Sequence, residues 1–303
     1  MESVTILVPC YNEERSLTDF YQTLCSIIYH QTFEFTILFI DDGSQDHTLQ
    51  LIQTFAQKDP HVKYLSFSRN FGKEAAIYAG LTYTNTDYGI LMDADLEHPP
   101  ALIPEFLKLR HDYDQIIAQR INRKQGWCAK AFTCGLNLIT NQIHLKHGIV
   151  DYRLMNQQVI QAILQMPERE RYSRGMFDWV GFSKAYISYQ DIKQTKRKST
   201  WSFRSLFAYA MNAVFSFSDL LLNSLLFIGI LFGLMTLFLR LFQWISFDTF
   251  WILLFASGIQ CSIGILALYL KRIFQETKKR PIYFIAETNL KGMEKKYGMD
   301  TEE

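Results

Sequence analysis

The stretch "ILMDADLEHPP", Ile90 to Pro100, runs from an apolar segment into three acids at alternate positions, Asp93, Asp95 and Glu97. In an extended chain residues two apart share a face, so the pattern predicts a strand end presenting three carboxylates to one side. Acids gathered in this way repel one another unless a cation lies between them. Asp93 and Asp95, one residue apart, can hold a divalent ion such as Mg²⁺ or Mn²⁺, which prefers oxygen ligands and also binds phosphate oxygens. Glu97 is placed as a third ligand, with a solvated turn acid as the alternative reading.

Outward from this stretch, apolar strand-like runs alternate with helical patterns. "VTILVP", "FTILFI", "VKYLSF", "YGILM" and "YDQIIAQ" read as strands; "ERSLTDFYQTLCSII", "HTLQLIQTFAQ", "KEAAIYAGLTYT" and "ALIPEFLKLRH" read as helices. Continuous apolar strands separated by helices predict an α/β fold with a mostly parallel sheet covered on both faces. In such sheets a ligand sits beyond the carboxyl ends of the strands. The first four strands end in "PCYNEE", "DDGSQDHT", "FSRNFGKE" and "DADLEHPP", which puts polar, acidic and glycine-containing turns on one rim. Turn chemistry alone also favours such residues.

The C-terminal part has a different character. Leu220 to Leu239 and Thr249 to Leu270 carry no charged residue. Twenty residues at about 1.5 Å each match a hydrocarbon layer roughly 30 Å thick. The linker "RLFQWISFD" suits a turn at a membrane face, so the pair predicts a transmembrane helical hairpin. Lys193, Lys196, Arg197, Lys198 and Arg204 precede it and Lys271, Arg272, Lys278, Lys279 and Arg280 follow it, whereas the linker holds only Arg240. The positive-inside rule then puts both termini in the cytoplasm. Residues 200–218 read either as an amphipathic helix on the membrane surface or as a helix packed on the soluble body. The expected division is 1–199 soluble domain, 200–218 juxtamembrane helix, 219–271 two spans and 272–303 tail.

A formal net charge of +1 supplies no global field for nucleic acid. Five scattered cysteines without CxxC spacing indicate neither a disulfide framework nor a zinc site. The opening "MESVTILVPCYNEE" has no basic segment or long apolar core, and so reads as a strand of the fold rather than a secretory signal.

Seven segments in order, "VPCYNEE", "IDDGSQDHT", "SRNFGKEAAIYAGL", "MDADLEHPP", "VDYRLMN", "RGMFDWVGF" and "RIFQETKKRPIYFI", together resemble the family 2 inverting glycosyltransferases. Within them the resemblance is to the polyprenyl-phosphate glycosyltransferases, which include dolichyl-phosphate mannose synthase and the bactoprenol glucosyltransferases. It implies a Rossmann-like domain of GT-A type, a nucleotide-sugar donor, a polyprenyl phosphate acceptor and a divalent cation. It also implies a bacterial plasma-membrane location, homo-oligomerisation and a flippase that takes up the product.

By this resemblance Pro9, Tyr11 and Glu13 form the first nucleotide-contacting turn, and Asp42 contacts the nucleoside. Asp41 has a structural alternative, bonding the turn at Gly43 and Ser44. Asp93, Ala94 and Asp95 face the diphosphate and cation, and Glu97 departs from the family's usual Gln. Lys73 reads as a donor contact or a surface base. Arg120 and Arg123 resemble the arginines near the diphosphate or acceptor phosphate, a role suited to a bidentate guanidinium. Asp151 matches an acid near the reaction centre, alongside Asp95 and Arg120 as the expected catalytic set; its residue-level alternative is the N-cap of a helix "RLMNQQVIQAILQ". His98 reads as a solvated loop residue, with a contact to metal or substrate as the alternative, and Arg171 and Arg174 as members of a family-like segment or as surface partners of Glu168 and Glu170.

Aligning "STW", Ser199 to Trp201, puts Asp191, Gln194 and Arg197 where the family has Arg, Arg and Gly. This departure motivates a non-catalytic membrane scaffold or nucleotide-sugar sensor as the alternative function. A processive polysaccharide synthase is disfavoured by the missing QxxRW motif and the presence of only two apolar runs.

Overall fold

The computed structural model describes residues 1–121, 149–166, 168, 171–190, 248–278 and 280–290. Strands and helices alternate from the start: β1 (Ser3–Cys10), α1 (Leu17–Ile28), β2 (Glu34–Asp41), α2 (Thr48–Lys58), β3 (Val62–Phe67), α3 (Lys73–Thr82) and β4 (Tyr88–Leu91). A short 3₁₀ turn, Pro100–Leu102, leads into α4 (Ile103–Leu109), then β5 (Gln115–Ile121). There follow β6 (Ile149–Asn156), α5 (Gln157–Leu164), α6 (Ser173–Trp179), β7 (Lys184–Gln190), α7 (Asp248–Thr277) and β8 (Ile285–Thr288). Every strand and helix expected between residues 4 and 119 forms, because each apolar run has a face of the sheet to bury.

The eight described strands form one sheet in the order β7-β5-β6-β4-β1-β2-β3-β8. Only β6 and β8 run against the others. The alternation along β1 and β2 divides two cores. Ile6, Val8, Ile37 and Phe39 join Phe20 and Leu24 of α1 and Phe106 of α4 on one side. Leu7, Leu38 and Ile40 join Ala76 of α3, Ile160 of α5 and Phe177 of α6 on the other. With apolar residues on both faces, the central strands are near-continuously buried, as their unbroken sequence runs require.

Two features depart from expectation. The segment from Asp151 is not the start of a helix: "DYRLMN" continues β6, antiparallel to β4, and Asn156 is the N-cap of α5, its side chain accepting from the Val159 amide at 3.0 Å. Tyr152, Leu154 and Met155 are fully buried in the sheet, and that burial outweighs the polar helix-start pattern. The tail, in turn, returns to the sheet. β8 pairs with β3, and Glu287 accepts from Tyr64 Oη at 2.5 Å and from Gln53 Nε2 at 2.6 Å.

Residues 200–218, the first apolar run and the departure at Asp191, Gln194 and Arg197 lie outside the described residues. The second run falls within the 30-residue α7, where Ile252, Phe255, Ile259, Ile263 and Leu270 are exposed. Among the described residues no helix is long and apolar enough to cross a membrane.

The turn after β2 depends on Gly43. Its φ is +66°, and a Cβ there would lie 2.4 Å from the backbone carbonyl carbon of Arg69. Gly72 also has a positive φ, +98°, but a Cβ there would meet nothing within 4 Å. Gly43→Ala is therefore expected to cost about 3 kcal/mol of stability, and Gly72→Ala only the smaller strain of its dihedral. Thermal unfolding of the two variants checks this, and equal losses would remove the steric argument.

Candidate active site

The loops at the carboxyl ends of β1 to β3 are tied to one another by side chain to backbone bonds. After β1, Asn12 takes a left-handed φ of 55°. Its amide donates to Ser44 Oγ at 3.0 Å, and its Oδ1 accepts from the Gln45 amide at 2.8 Å. The Glu13 amide donates to Thr48 Oγ1 at 2.8 Å, and the Glu13 carboxylate accepts from Ser16 Oγ at 2.7 Å. Pro9 lies in β1, and Tyr11 projects from this doubled loop with 43 % of its surface exposed, free to lie against a flat ring.

Asp41 and Asp42 divide their work. Asp41 accepts from the Ser44 amide at 3.1 Å and from Ser66 Oγ at 2.8 Å, the turn-building role open to it in the sequence. Asp42 turns the other way: its Oδ1 accepts from the Phe71 amide at 2.6 Å and its Oδ2 from the Gly72 amide at 2.9 Å. The residue expected to meet a nucleoside thus anchors the loop that leads into α3.

Burial pushes the Asp42 carboxyl up to about 6, against the pull of the Phe71 and Gly72 amides. A carboxyl that binds its proton more tightly folded than unfolded stabilises most at low pH, and that contribution is lost as pH rises through about 6. Asp42→Asn removes this ionisation. The stability of wild type relative to Asp42→Asn is therefore expected to fall between pH 4 and pH 7, and a constant difference across that range would contradict the assignment.

After β4 the chain leaves extended geometry at once, and the acids do not share a strand face. β4 ends at Leu91, residues 94 and 95 form a turn, and Leu96 takes a left-handed φ of 58°. The alternation expected of "DADLE" fails because the Asp95 Oδ1 accepts from the Glu97 amide at 3.0 Å and closes the turn. Asp93 and Asp95 remain neighbours in the turn, with the buried Ala94 between them. Glu97 is drawn to Arg120 at the end of β5, whose Nη2 lies 3.1 Å from its carboxylate, while Arg120 Nε donates to Tyr189 Oη at 3.3 Å. Arg123 lies outside the described residues.

The centre of the site is a charge cluster that the sequence showed only in part. Lys73 Nζ lies 2.7 Å from Asp93 Oδ1, 2.9 Å from Asp93 Oδ2 and 2.9 Å from Asp151 Oδ2. Arg174 Nε lies 2.7 Å from Asp151 Oδ1, and its Nη2 lies 3.3 Å from Oδ2. Asp151 can reach this rim because β6 is antiparallel, so the start of β6 lies beside the end of β4, with Leu91 opposite Arg153. Arg174 thus pairs with Asp151, while Glu170 lies outside the described residues; Arg171 is buried, donating to the carbonyls of Met166, Glu168 and Ile163.

His98 is buried rather than solvated. It stacks on Tyr152 at 5.6 Å, and its Nδ1 has no hydrogen-bond partner among the described residues and lies 3.8 Å from Asp93 Oδ2.

The electrostatics separate these acids. Burial raises the Asp151 carboxyl, yet Arg174 and Lys73 together hold it well below the carboxylate range. Burial likewise raises Asp93, and Lys73 and His98 bring it below its ordinary value. Asp95 is raised, by burial and by the neighbouring Asp93 charge. Burial keeps His98 below its ordinary value and so favours the neutral ring. Lys73 is raised by Asp151 and Asp93 against the effect of burial, and stays an ammonium ion.

Among the described residues no three His, Cys, Asp or Glu side chains converge as a ready cation cage. The donor chemistry nonetheless fits a hard divalent ion, which binds through one or two carboxylates together with substrate phosphates and water. Asp93 and Asp95 are the carboxylates that would hold such an ion, whereas Glu97 is paired with Arg120.

The sequence profile of glycosyl transferase family 2 matches residues 5–150. A putative glycosyltransferase of Bacillus subtilis, CsbB, is 36% identical over 95% of this chain and 92% of its own length. The prophage bactoprenol glucosyl transferase homolog of Escherichia coli is 32% identical over 93% of this chain and 98% of its own. Among solved structures, mannosyl-3-phosphoglycerate synthase from Rubrobacter xylanophilus superposes with a TM-score of 0.51 at 14% identity, over 70% of this chain and 72% of that one. Glucosyl-3-phosphoglycerate synthase from Mycobacterium tuberculosis, solved with Mn²⁺, UDP-glucose and phosphoglyceric acid, gives a TM-score of 0.50 at 15% identity, covering 70% and 77%.

Proposed function

The chain belongs to glycosyl transferase family 2 and is a glycosyltransferase, and we propose that it transfers glucose from UDP-glucose to undecaprenyl phosphate with inversion. The observation that carries the acceptor assignment is the double neutralisation of Asp151. Held by Arg174 at 2.7 Å and Lys73 at 2.9 Å, this carboxylate is too weak a base to take a proton from a sugar hydroxyl. A phosphomonoester needs no such base, since its second pKa of about 6 leaves it largely ionised at neutral pH. The phosphate oxygen attacks the anomeric carbon in line, the bond to the nucleotide diphosphate breaks, and the configuration inverts. The names of the bactoprenol glucosyl transferases at 32% identity support the same acceptor.

In this reading Tyr11 lies against the base, and the linked β1 and β2 loops form its floor. Asp42 holds the Phe71–Gly72 loop so that Lys73 faces the reaction centre. Asp93 and Asp95 hold a divalent cation, Mg²⁺ or Mn²⁺, which supplies charge neutralisation for the leaving diphosphate. Asp151 positions Arg174 beside the incoming phosphate and pairs with Lys73, and Arg120 stands at the β5 edge.

The lipid acceptor requires a membrane. Because β7 and β8 belong to one sheet, the chain between residues 190 and 285 must cross a bilayer an even number of times if it crosses at all. The two uncharged runs of the sequence, 220–239 and 249–270, are the crossings of this proposal. Their basic flanks put the catalytic domain and both termini at the cytoplasmic face of a bacterial plasma membrane. A homo-oligomer and a flippase for the product complete the proposal, with cell-wall or surface-glycan modification as its outcome.

The test is transfer of labelled sugar from a panel of UDP- and GDP-sugars to undecaprenyl phosphate by the full chain in membranes, with and without Mn²⁺. Lipid-linked glucose from UDP-glucose is the expected product. Donor binding without any lipid product would replace the enzyme with a nucleotide-sugar sensor.

A further inference from the structure

We propose that Lys73 is an internal cation that competes with the divalent ion for Asp93 and moves to the donor diphosphate when both bind, so that metal and nucleotide load together. This rests on the glycosyltransferase reading and assigns Lys73 a role in how the site is filled.

The geometry is that of a competitor. The ammonium straddles the Asp93 carboxylate, 2.7 Å from Oδ1 and 2.9 Å from Oδ2. A divalent ion of the Mg²⁺ type needs carboxylate oxygens at about 2.1 Å, and an ammonium already on both oxygens occupies acceptor sites there and repels the incoming charge. The ion therefore settles more tightly when the side chain leaves Asp93.

Its departure is made easy at the other end. Asp151 keeps Arg174 at 2.7 Å, so it stays paired after Lys73 has gone. The Lys73 backbone need not move, because Lys73 is the first residue of α3 and Asp42 fixes the preceding Gly72 amide at 2.9 Å. Only the flexible four-carbon stem swings, and its charge requires a new anion. The donor diphosphate supplies one, so the nucleotide relieves the competition and each ligand raises the affinity for the other.

The experiment is an electron paramagnetic resonance titration of Mn²⁺ on the purified full chain, with and without UDP, for wild type, Lys73→Gln and Lys73→Arg. Without nucleotide, Lys73→Gln is expected to bind Mn²⁺ at least about fivefold more tightly than wild type, the low end of ordinary coupling. With UDP the difference is expected to shrink, since the wild-type lysine has by then left Asp93. Lys73→Arg keeps the charge and is expected to behave like wild type without nucleotide. Lys73→Met repeats the measurement should the glutamine variant fail to fold.

Equal or weaker Mn²⁺ binding by Lys73→Gln without nucleotide overturns the proposal. So does an equal gain with and without UDP, which indicates a general loss of positive charge rather than competition. Absence of Mn²⁺ binding to wild type even with UDP overturns the metal-dependent reading itself, a result distinguishable from the other two.

Discussion

Asp95→Asn is expected to lower sugar transfer by about 10³-fold, the several kcal/mol of charge stabilisation that a bound divalent ion contributes. The substitution keeps the shape of the turn. Asparagine Oδ1 can still accept from the Glu97 amide, the 3.0 Å bond that closes the turn after β4. What disappears is the charge. Burial and the adjacent Asp93 raise the Asp95 carboxyl, which means that its ionised form is held at a cost to the folded state. Above that raised value the neutral variant is therefore expected to be as stable as wild type or slightly more so. A large loss of transfer with no loss of melting temperature is the signature of a residue kept for function rather than stability. Lipid product within tenfold of wild type would sink the cation role of Asp95.

Asp151→Asn is expected to have the second largest effect, and it differs in kind. The wild-type carboxylate is 8 % exposed and joins Lys73 of α3 to Arg174 of α6. Removing one partner of a buried ion pair typically costs about 3–5 kcal/mol. Here both cations are 36% exposed, and water screens part of that loss, so about 2 kcal/mol is expected. This appears as a drop of several degrees in melting temperature near neutral pH. The sign with pH follows from the depressed carboxyl. Its stabilisation is present above the ordinary carboxylate value and is lost as pH falls below it, so the two melting temperatures should converge in acid. Transfer should also fall, through misplacement of Lys73 and Arg174. A variant with wild-type stability at neutral pH but no transfer would instead make Asp151 a direct participant in the chemistry.

The sequence carried most of the fold because the information was local. The apolar runs of β1 to β5 are continuous, and the intervening helices have their own periodicity. Only a two-sided sheet buries both. The strand ends were legible for the same reason, since their polar turns interrupt the apolar runs. Asp93, Asp95, Lys73 and Asp151 were all candidates from the chain, and the fold brings Lys73 to Asp93 and Asp151.

Their relations could not be named. The common face expected of Asp93, Asp95 and Glu97 rested on alternation, and one left-handed residue, Leu96, cancels it. His98 looked solvated because it lies in a polar turn, yet Tyr152 of β6, 54 residues away, covers it. Arg174 has near neighbours in sequence to pair with, but its carboxylate lies on a strand that ends before α5 begins.

What the sequence by itself determined is the alternating architecture, the rim on which chemistry is placed, and the residue types available there. What only the tertiary structure decided is which charge neutralises which. Apolar periodicity is written into neighbouring residues and survives in any fold that buries it. Ion pairs depend on strand order and direction, and the insertion of antiparallel β6 between β4 and β5 is what brings Asp151 to Lys73 and joins Asp93, Lys73, Asp151 and Arg174 in one charge cluster.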